Sequence, residues 1–237
     1  AARTGASATR HAELERAYLQ ARIQQMMEQG RLQRAQHEAA WNGFRKFEIV
    51  RKVLEANQIC SFYLAPHDRK PLPPFLPGQY LTFQLAIVDA AASIGTPRAG
   101  GPPRPVIRCY SLSDGPSHPD YYRVTIKRVG APPDRADLLP GLSSSFFHDH
   151  LKEGDIVDVK APAGHFYLDL SQDAPVVLIA GGIGITPLLS MLNASAEAKS
   201  TREIWFFYGV RNRTEHVMKE HLERTAREHP NVHLRVC

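Results

Sequence analysis

The chain has 237 residues, of which 43% are hydrophobic and 22% are charged, a balance typical of globular proteins. That length is sufficient for two domains of ordinary size. The formal net charge of +5 suits an anionic small molecule or an acidic protein partner. Lys and Arg are scattered without an interleaved stripe of aromatic residues, so nucleic acid is not a predicted partner. No apolar run approaches the roughly 20 residues of a membrane-spanning helix, so no membrane partner is predicted.

Cysteine usage indicates a reducing compartment. The three cysteines, Cys60, Cys109 and Cys237, are far apart in sequence, and their odd number does not indicate a disulfide framework. The cytoplasm is therefore the predicted location. The sequence begins with Ala1 rather than Met, and we expect it to be part of a longer polypeptide.

Residues 1–42 are predicted to form a separate helical segment. From about residue 11 to residue 41, apolar residues recur at helical spacing and no proline interrupts them. Gly30 is expected to break or bend this helix. The simpler interpretation is a linker or packing helix, and the alternative is the end of an upstream domain or a docking helix.

Residues 43–168 have the pattern of an antiparallel β-barrel or sandwich. Short β-rich runs are separated by turns that contain Gly and Pro. Residues 90–105 are rich in Ala, Gly and Pro and are expected to form a long surface loop. The predicted strands lie at residues 47–53, 59–64, 79–85, 106–112, 121–129 and 156–160.

Residues 169–237 have the alternating pattern of a doubly wound α/β domain. A continuous apolar run at residues 174–180 predicts a buried parallel strand, and a predicted helix follows at residues 187–197. Further strands are predicted at residues 203–208 and 232–236, with a helix at residues 214–228 between them. Such a domain usually has more strands, so we expect this domain to be incomplete at Cys237.

A glycine-rich turn, GGIGITP at residues 181–187, connects the first of these strands to its helix. Glycines let the backbone approach a pyrophosphate closely, and a helix N-terminus offers free N–H groups to it. The turn does not fit the G-x-G-x-x-G fingerprint, and a turn selected only for tight packing is the alternative. The candidate nucleotide-binding residues here are Gly181, Gly182, Gly184 and Thr186.

Six further motifs accompany the glycine turn: PGQY at 77–80, RCYS at 108–111, IKR at 126–128, GLSSSFF at 141–147, PAGHF at 162–166 and YGVRN at 208–212. In this order they resemble the ferredoxin–NADP reductase superfamily of flavin reductases. The resemblance covers about residues 44–237. Residues 41–47 and 61–66 are especially similar to the globin-to-reductase junction of flavohaemoglobins. The superfamily fold is a flavin-binding antiparallel β-barrel followed by a doubly wound α/β domain.

In that superfamily an Arg-x-Tyr-Ser strand holds the flavin, so the resemblance implies this role for Arg108, Tyr110 and Ser111. The chemistry agrees, because a tyrosine face can stack on a flavin ring and arginine pairs with phosphate through two hydrogen bonds. A strand with a merely polar outer face is the alternative.

The resemblance also implies a site for the flavin pyrophosphate where the helix of the GLSSSFF motif begins. Serines that only cap this helix are the alternative. The IKR strand is implied to run beside the flavin, and the YGVRN loop to meet a ribose or phosphate. The residues so implied are Gly141, Ser143, Ser144, Ser145, Ile126, Lys127 and Arg211.

The implied function is hydride transfer from NADH or NADPH to FAD, followed by single-electron transfer to an iron–sulfur or haem partner. FAD is favoured over FMN because the serines offer a second phosphate site. No side chain is predicted to act as a catalytic acid or base, and no metal site is predicted. The alternatives are the reductase half of a nitric oxide dioxygenase and a catalytically silent flavin-binding docking module.

Overall fold

The computed structural model describes residues 2–87, 104–131, 134–135 and 137–237. The chain divides into two compact units, Ala1–Ala40 and Trp41–Cys237. The first unit is one helix, α1 (Ala2–Ala39), which continues through Gly30. The helix therefore does not break at Gly30, and the alternative that Gly30 bends it stays a prediction. A glycine in a helix interior costs only about 1 kcal/mol relative to alanine, and good helix formers on both sides outweigh it.

The second unit begins with a six-stranded antiparallel sheet in the order β4-β3-β6-β1-β2-β5. Alternation along each strand decides which face is buried, so that Leu81, Phe83 and Leu85 of β3 all enter the core. One helix, α2 (Leu142–Asp149), lies between β5 and β6 in the chain. The strands are β1 (Arg45–Ala56), β2 (Ile59–Pro66), β3 (Tyr80–Ile87), β4 (Arg104–Ser111), β5 (Tyr122–Lys127) and β6 (Ile156–Val159).

The sheet curls toward a barrel, because the chain just after β4 pairs with β5 at the other end of the strand order. Leu112 forms a bridge with Val124, and the Ser113 N–H donates to the Arg123 carbonyl at 2.9 Å. Within the described residues, β4 and β5 form no longer ladder than this. Phe147 of α2 packs into the interior among the buried side chains of the strands.

The remainder of the second unit is a three-stranded parallel sheet with the order β7-β8-β9. The two connections between its strands each contain a helix, as parallel strands require. Buried apolar residues of β7, β8 and α3 form a second core, which also includes Ile59 at the start of β2. The elements are β7 (Val176–Gly181), α3 (Ile185–Glu197), β8 (Ile204–Gly209), α4 (Lys219–Glu228) and β9 (Val232–Val236).

This arrangement is the predicted succession of an antiparallel, barrel-like sheet and an α/β half. The predicted surface loop at residues 90–105 lies outside the described residues except for Arg104 and Pro105, which begin β4. The division of the second unit near residue 168 stays a prediction. In the part of the chain that the structure describes, no helix is both long enough and apolar enough to cross a bilayer.

Candidate functional site

An open cavity of about 420 Å³ lies where β4, β5 and the start of α2 meet the turn that precedes α3. Most of the predicted cofactor-binding residues line it, although they come from four separate parts of the sequence. Five others do not line it, namely Ser145, Gly181, Gly182, Gly184 and Arg211. The predicted residues that line the cavity are Arg108, Tyr110, Ser111, Ile126, Lys127, Gly141, Ser143, Ser144 and Thr186.

Strand β4 supplies one side of the cavity. Tyr110 is half-buried and is held edge-on against Phe83 and Phe147, with ring centroids 5.8 and 5.2 Å away. Burial raises the pKa of the Tyr110 hydroxyl, so the ring stays neutral at ordinary pH. The Arg108 side chain is exposed and donates from Nη1 to the Ile107 carbonyl at 2.7 Å. Among the described residues, no carboxylate forms a salt bridge with it.

Strand β5 supplies the adjoining side and links the cavity to the α/β half. Thr125 is buried, and its hydroxyl lies 2.8 Å from the hydroxyls of Ser61 and Ser113. Lys127 Nζ donates to Glu215 Oε2 at 2.7 Å, across the boundary between the two halves. This hydrogen bond holds the pKa of the Glu215 carboxyl below its ordinary value.

The N-terminus of α2 faces the cavity with Gly141 as its N-cap, and no side chain caps it. Ser144 Oγ donates to the Gly141 carbonyl at 3.0 Å and accepts from the Val129 N–H at 3.2 Å, which fixes the loop before the helix. Ser143 Oγ and Ser145 Oγ are buried and have no hydrogen-bond partner among the described residues. A buried hydroxyl without a partner is costly, so Ser143 is suited to a ligand that enters the cavity. No serine side chain caps α2 in the structure, which argues against the alternative that these serines serve only as caps.

The other end of α2 is fixed by a lysine from β1. Lys52 Nζ donates to the carbonyls of His148 and Leu151, both at 2.8 Å, and to that of Phe147 at 3.3 Å. These are carbonyls that the end of a helix leaves without intrahelical partners. Lys52 therefore stabilises the C-terminal end of α2, whereas the N-terminal end of the helix faces the cavity.

The glycine turn forms the fourth part of the site. Gly182 has φ +50, a conformation that glycine adopts without strain. A Cβ added at Gly181, Gly182 or Gly184 would meet no atom within 4 Å, so the space beside the turn is open. Ile183 and Thr186, from the same turn, line the cavity. The turn thus presents bare backbone and the uncapped start of α3 next to the strand side of the cavity.

Residues 178–237 match the family of oxidoreductase NAD-binding domains. A flavohaemoprotein of Bacillus thuringiensis subsp. konkukian is 40% identical over 203 residues, which cover 86% of this chain and 46% of that protein. The flavohem-like FAD/NAD-binding domain of nitric oxide dioxygenase from Vibrio cholerae is 30% identical with a TM-score of 0.69, covering 82% of this chain and 74% of that one. The chain belongs to the ferredoxin–NADP reductase superfamily.

Membership of the ferredoxin–NADP reductase superfamily confirms the predicted fold class. Phthalate dioxygenase reductase, described as a modular structure for electron transfer from pyridine nucleotides to [2Fe-2S], is 29% identical with a TM-score of 0.62. That match covers 82% of this chain and 52% of the reductase. The chain spans about half the length of the curated relatives that it matches.

Five residues that line the cavity were not predicted from the sequence. Cys109, Thr125, Val129, Leu142 and Ile183 also line the cavity. All five lie within two positions of a predicted residue. The position of each beside a motif, rather than its residue type, could have identified it as a cavity residue. Conversely, Arg211 lies on the exposed loop after β8 and outside the cavity, and its role stays a prediction.

Proposed function

We propose that this chain is a flavin reductase that takes a hydride from NADH or NADPH onto FAD and passes electrons singly to a haem or iron–sulfur acceptor. The observation that carries the proposal is the cavity in which the β4 side chains, the start of α2 and the turn before α3 meet. A flavin reductase needs a ring site, a phosphate site and a nucleotide site next to one another, and each has a candidate here.

FAD fits the β4–α2 side of the cavity. Tyr110 offers an aromatic surface backed by Phe83 and Phe147, and Ser111 offers a hydroxyl at the end of the same strand. The unpartnered hydroxyl of Ser143 and the uncapped N-terminus of α2 suit a pyrophosphate, and Arg108 is an exposed guanidinium that can pair with it.

NAD(P)H fits the turn before α3. Because Gly181, Gly182 and Gly184 have no Cβ and the space beside them is open, a pyrophosphate can approach their backbone N–H groups. Ile183 and Thr186 project from this turn into the same cavity as the β4 residues, which would bring the two cofactors together. The choice between NADH and NADPH is left to experiment.

The bound flavin supplies the redox chemistry, accepting two electrons at once and releasing them one at a time. The protein's residues bind and orient the cofactors: Tyr110 and Ser111 hold the ring, and Ser143 and Arg108 hold the phosphates. Thr125 is fixed by two buried hydroxyls, so this side of the cavity is rigid. No side chain has to act as a general base in this account.

The acceptor is proposed to be a haem, because the flavohaemoprotein and the nitric oxide dioxygenase domain are among the most similar proteins. Under this proposal the chain is the reductase half of a nitric oxide dioxygenase. The resemblance to phthalate dioxygenase reductase makes an iron–sulfur cluster the second candidate. We place the reaction in the cytoplasm, since all three cysteines are free.

Steady-state assays with ferricyanide as a one-electron acceptor test the proposal. With FAD present, each NAD(P)H oxidised should reduce two ferricyanide ions, because a hydride carries two electrons. FMN in place of FAD should give less activity, since it lacks the second phosphate and the adenosine. A chain that binds FAD but oxidises neither nucleotide would instead be the catalytically silent flavin-binding module.

A further inference from the structure

Asp114 lies on the segment that joins β4 to β5, and its carboxylate is fully engaged. Oδ1 accepts from the Gly115 N–H at 3.0 Å, and Oδ2 accepts from the Tyr121 hydroxyl at 3.3 Å. Arg123 Nη1 forms a salt bridge with Oδ2, also at 3.3 Å. Both charged side chains are largely buried, so this is a fixed ion pair rather than a solvated one.

The same residue holds helix α3 of the other half at two points. Ser190 Oγ donates to the Asp114 carbonyl at 2.7 Å, and Asn193 Nδ2 donates to Asp114 Oδ1 at 2.8 Å. Ser190 and Asn193 are both buried. Because they are three residues apart, they lie on one face of α3, and the two bonds oppose both sliding and rotation of the helix.

The orientation of the Asn193 amide is itself fixed by α4. His221 Nε2 lies 2.7 Å from Asn193 Oδ1, and Arg224 Nη2 lies 3.1 Å from His221 Nδ1. Burial lowers the pKa of the His221 ring, which favours a neutral imidazole that donates from Nε2 and accepts at Nδ1. The Asn193 oxygen therefore faces His221, and its NH₂ group faces Asp114.

Helix α3 also begins at the candidate nucleotide site. Thr186, which lines the cavity, is one helical turn before Ser190 and lies on the same face. Further along this helix, Met191 approaches the barrel so closely that a Cβ on Gly78 would lie 2.5 Å from Met191 Cε. A displacement of α3 at Ser190 and Asn193 would therefore also displace Thr186 and the glycine turn.

On the barrel side, the contacts of Asp114 continue to the cavity. Arg123 donates to the carbonyl of Ser113, and the Ser113 hydroxyl lies 2.8 Å from that of Thr125, which lines the cavity. Ser111, a candidate flavin contact at the end of β4, lies three residues before Asp114 in the sequence. Asp114 thus connects the flavin side of the cavity, through Arg123 and Ser113, to helix α3, which bears the nucleotide side.

We propose that Asp114 is a positioning residue that fixes α3, and with it the glycine turn, against the β4 side of the cavity. The inference rests on the proposed function for its consequence, because hydride transfer requires donor and acceptor to be held in a narrow range of distance and direction. Buried charge-assisted hydrogen bonds provide this kind of rigidity.

The test uses Ser190→Ala and the double variant Ser190→Ala/Asn193→Ala. Both leave Asp114 paired with Arg123. Ser195→Ala is the matched control, because Ser195 is a buried serine of the same helix whose hydroxyl donates only to the Met191 carbonyl, at 2.9 Å.

Two readouts are compared in the FAD-loaded chain. Amide hydrogen exchange in residues 112–121 and 185–195, measured without nucleotide, should be faster in both Ser190 variants and unchanged in Ser195→Ala. The limiting rate of anaerobic flavin reduction by NAD(P)H should fall about tenfold in the double variant. The Kd for FAD and the extent of reduction by dithionite should stay the same in that variant.

Unchanged exchange in the double variant would overturn the proposal, as would a loss of rate that Ser195→Ala shares. If the double variant does not fold, the exchange of Ser190→Ala decides alone. If neither nucleotide reduces the unaltered chain, the proposed function fails. The exchange comparison still decides whether Asp114 holds α3.

Discussion

The glycine turn before α3 permits a prediction that separates stability from nucleotide binding. Gly182 has φ +50, whereas Gly184 has φ −62, and neither would place a new Cβ within 4 Å of another atom. Replacing Gly182 by alanine should therefore cost only the strain of a left-handed backbone, about 1–2 kcal/mol. For a unit of this size that corresponds to a fall in Tm of about 2–8 °C. Gly184→Ala should stay within about 0.5 kcal/mol, because it introduces neither strain nor a clash.

Nucleotide binding should respond differently, because both methyl groups would enter the open space that the pyrophosphate is proposed to occupy. A methyl group forced into close contact costs about 1–3 kcal/mol. That range raises the Kd for NAD(P)H by roughly 5- to 150-fold. Differential scanning calorimetry gives the Tm, and titration of the FAD-loaded chain with NAD⁺ or NADP⁺ gives the Kd. If Gly184→Ala binds nucleotide as well as the unaltered chain, the proposed place of the pyrophosphate is incorrect.

Three other substitutions test the flavin side. Arg108→Ala should weaken FAD binding by roughly tenfold or more, because a charge-assisted contact to phosphate is lost; fluorescence titration measures it. Lys52→Met should lower the free energy of unfolding by about 1–3 kcal/mol, since the carbonyls at the end of α2 lose their donor. Lys46→Met is its control in urea unfolding, because in the described part of the chain the Lys46 ammonium pairs only with the Asp158 carboxylate at the surface. Lys127→Met should raise the pKa of Glu215 toward its ordinary value, measured by NMR titration.

Each of these predictions has a contradicting result. If Arg108→Ala leaves the affinity for FAD unchanged, Arg108 is not part of the flavin site. Arg235→Ala is the control, because its exposed guanidinium, like that of Arg108, donates among the described residues only to the carbonyl of the preceding residue. Equal destabilisation by Lys46→Met would remove the special role of Lys52.

The sign of the Glu215 effect on stability follows from its lowered pKa. A carboxyl whose pKa is lower in the folded state adds stability above its unfolded pKa, and that stability is lost as pH falls through the folded pKa. The contribution should therefore disappear in the acidic range, and in Lys127→Met it should be smaller, because the charge of Arg211 still lowers the pKa of Glu215. An unfolding midpoint with the same acidic pH dependence in both proteins would contradict this reasoning.

The local sequence predicted most of the fold, because the spacing of apolar residues in each half is typical of its strands and helices. The alternation in β3 and the apolar run of β7 are visible in the sequence, and so is the turn that lies between β7 and α3. The helix continues past Gly30 because the long helical sequence on both sides outweighs one unfavourable residue. Residues 40–44 connect α1 to β1, and nothing in a single sequence fixes where one unit ends.

The candidate site was predictable where a motif is local and not where it depends on distant contacts. Arg108, Tyr110 and Ser111 are adjacent on one strand, so a single motif identifies them. Asp114 has no comparable signal, since its partners Ser190 and Asn193 are 76 and 79 residues away in sequence. The hydrogen bonds of Ser144 to neighbouring backbone groups likewise depend on how the loop before α2 folds.

The visible absorption spectrum of the purified chain after incubation with FAD, recorded under anaerobic conditions, tests the central claim most directly. NADH is added to one sample and NADPH to another. The account predicts a bound-flavin spectrum that bleaches with at least one nucleotide and returns on addition of ferricyanide. A chain that does not retain FAD after gel filtration would contradict the claim that this cavity is an FAD site.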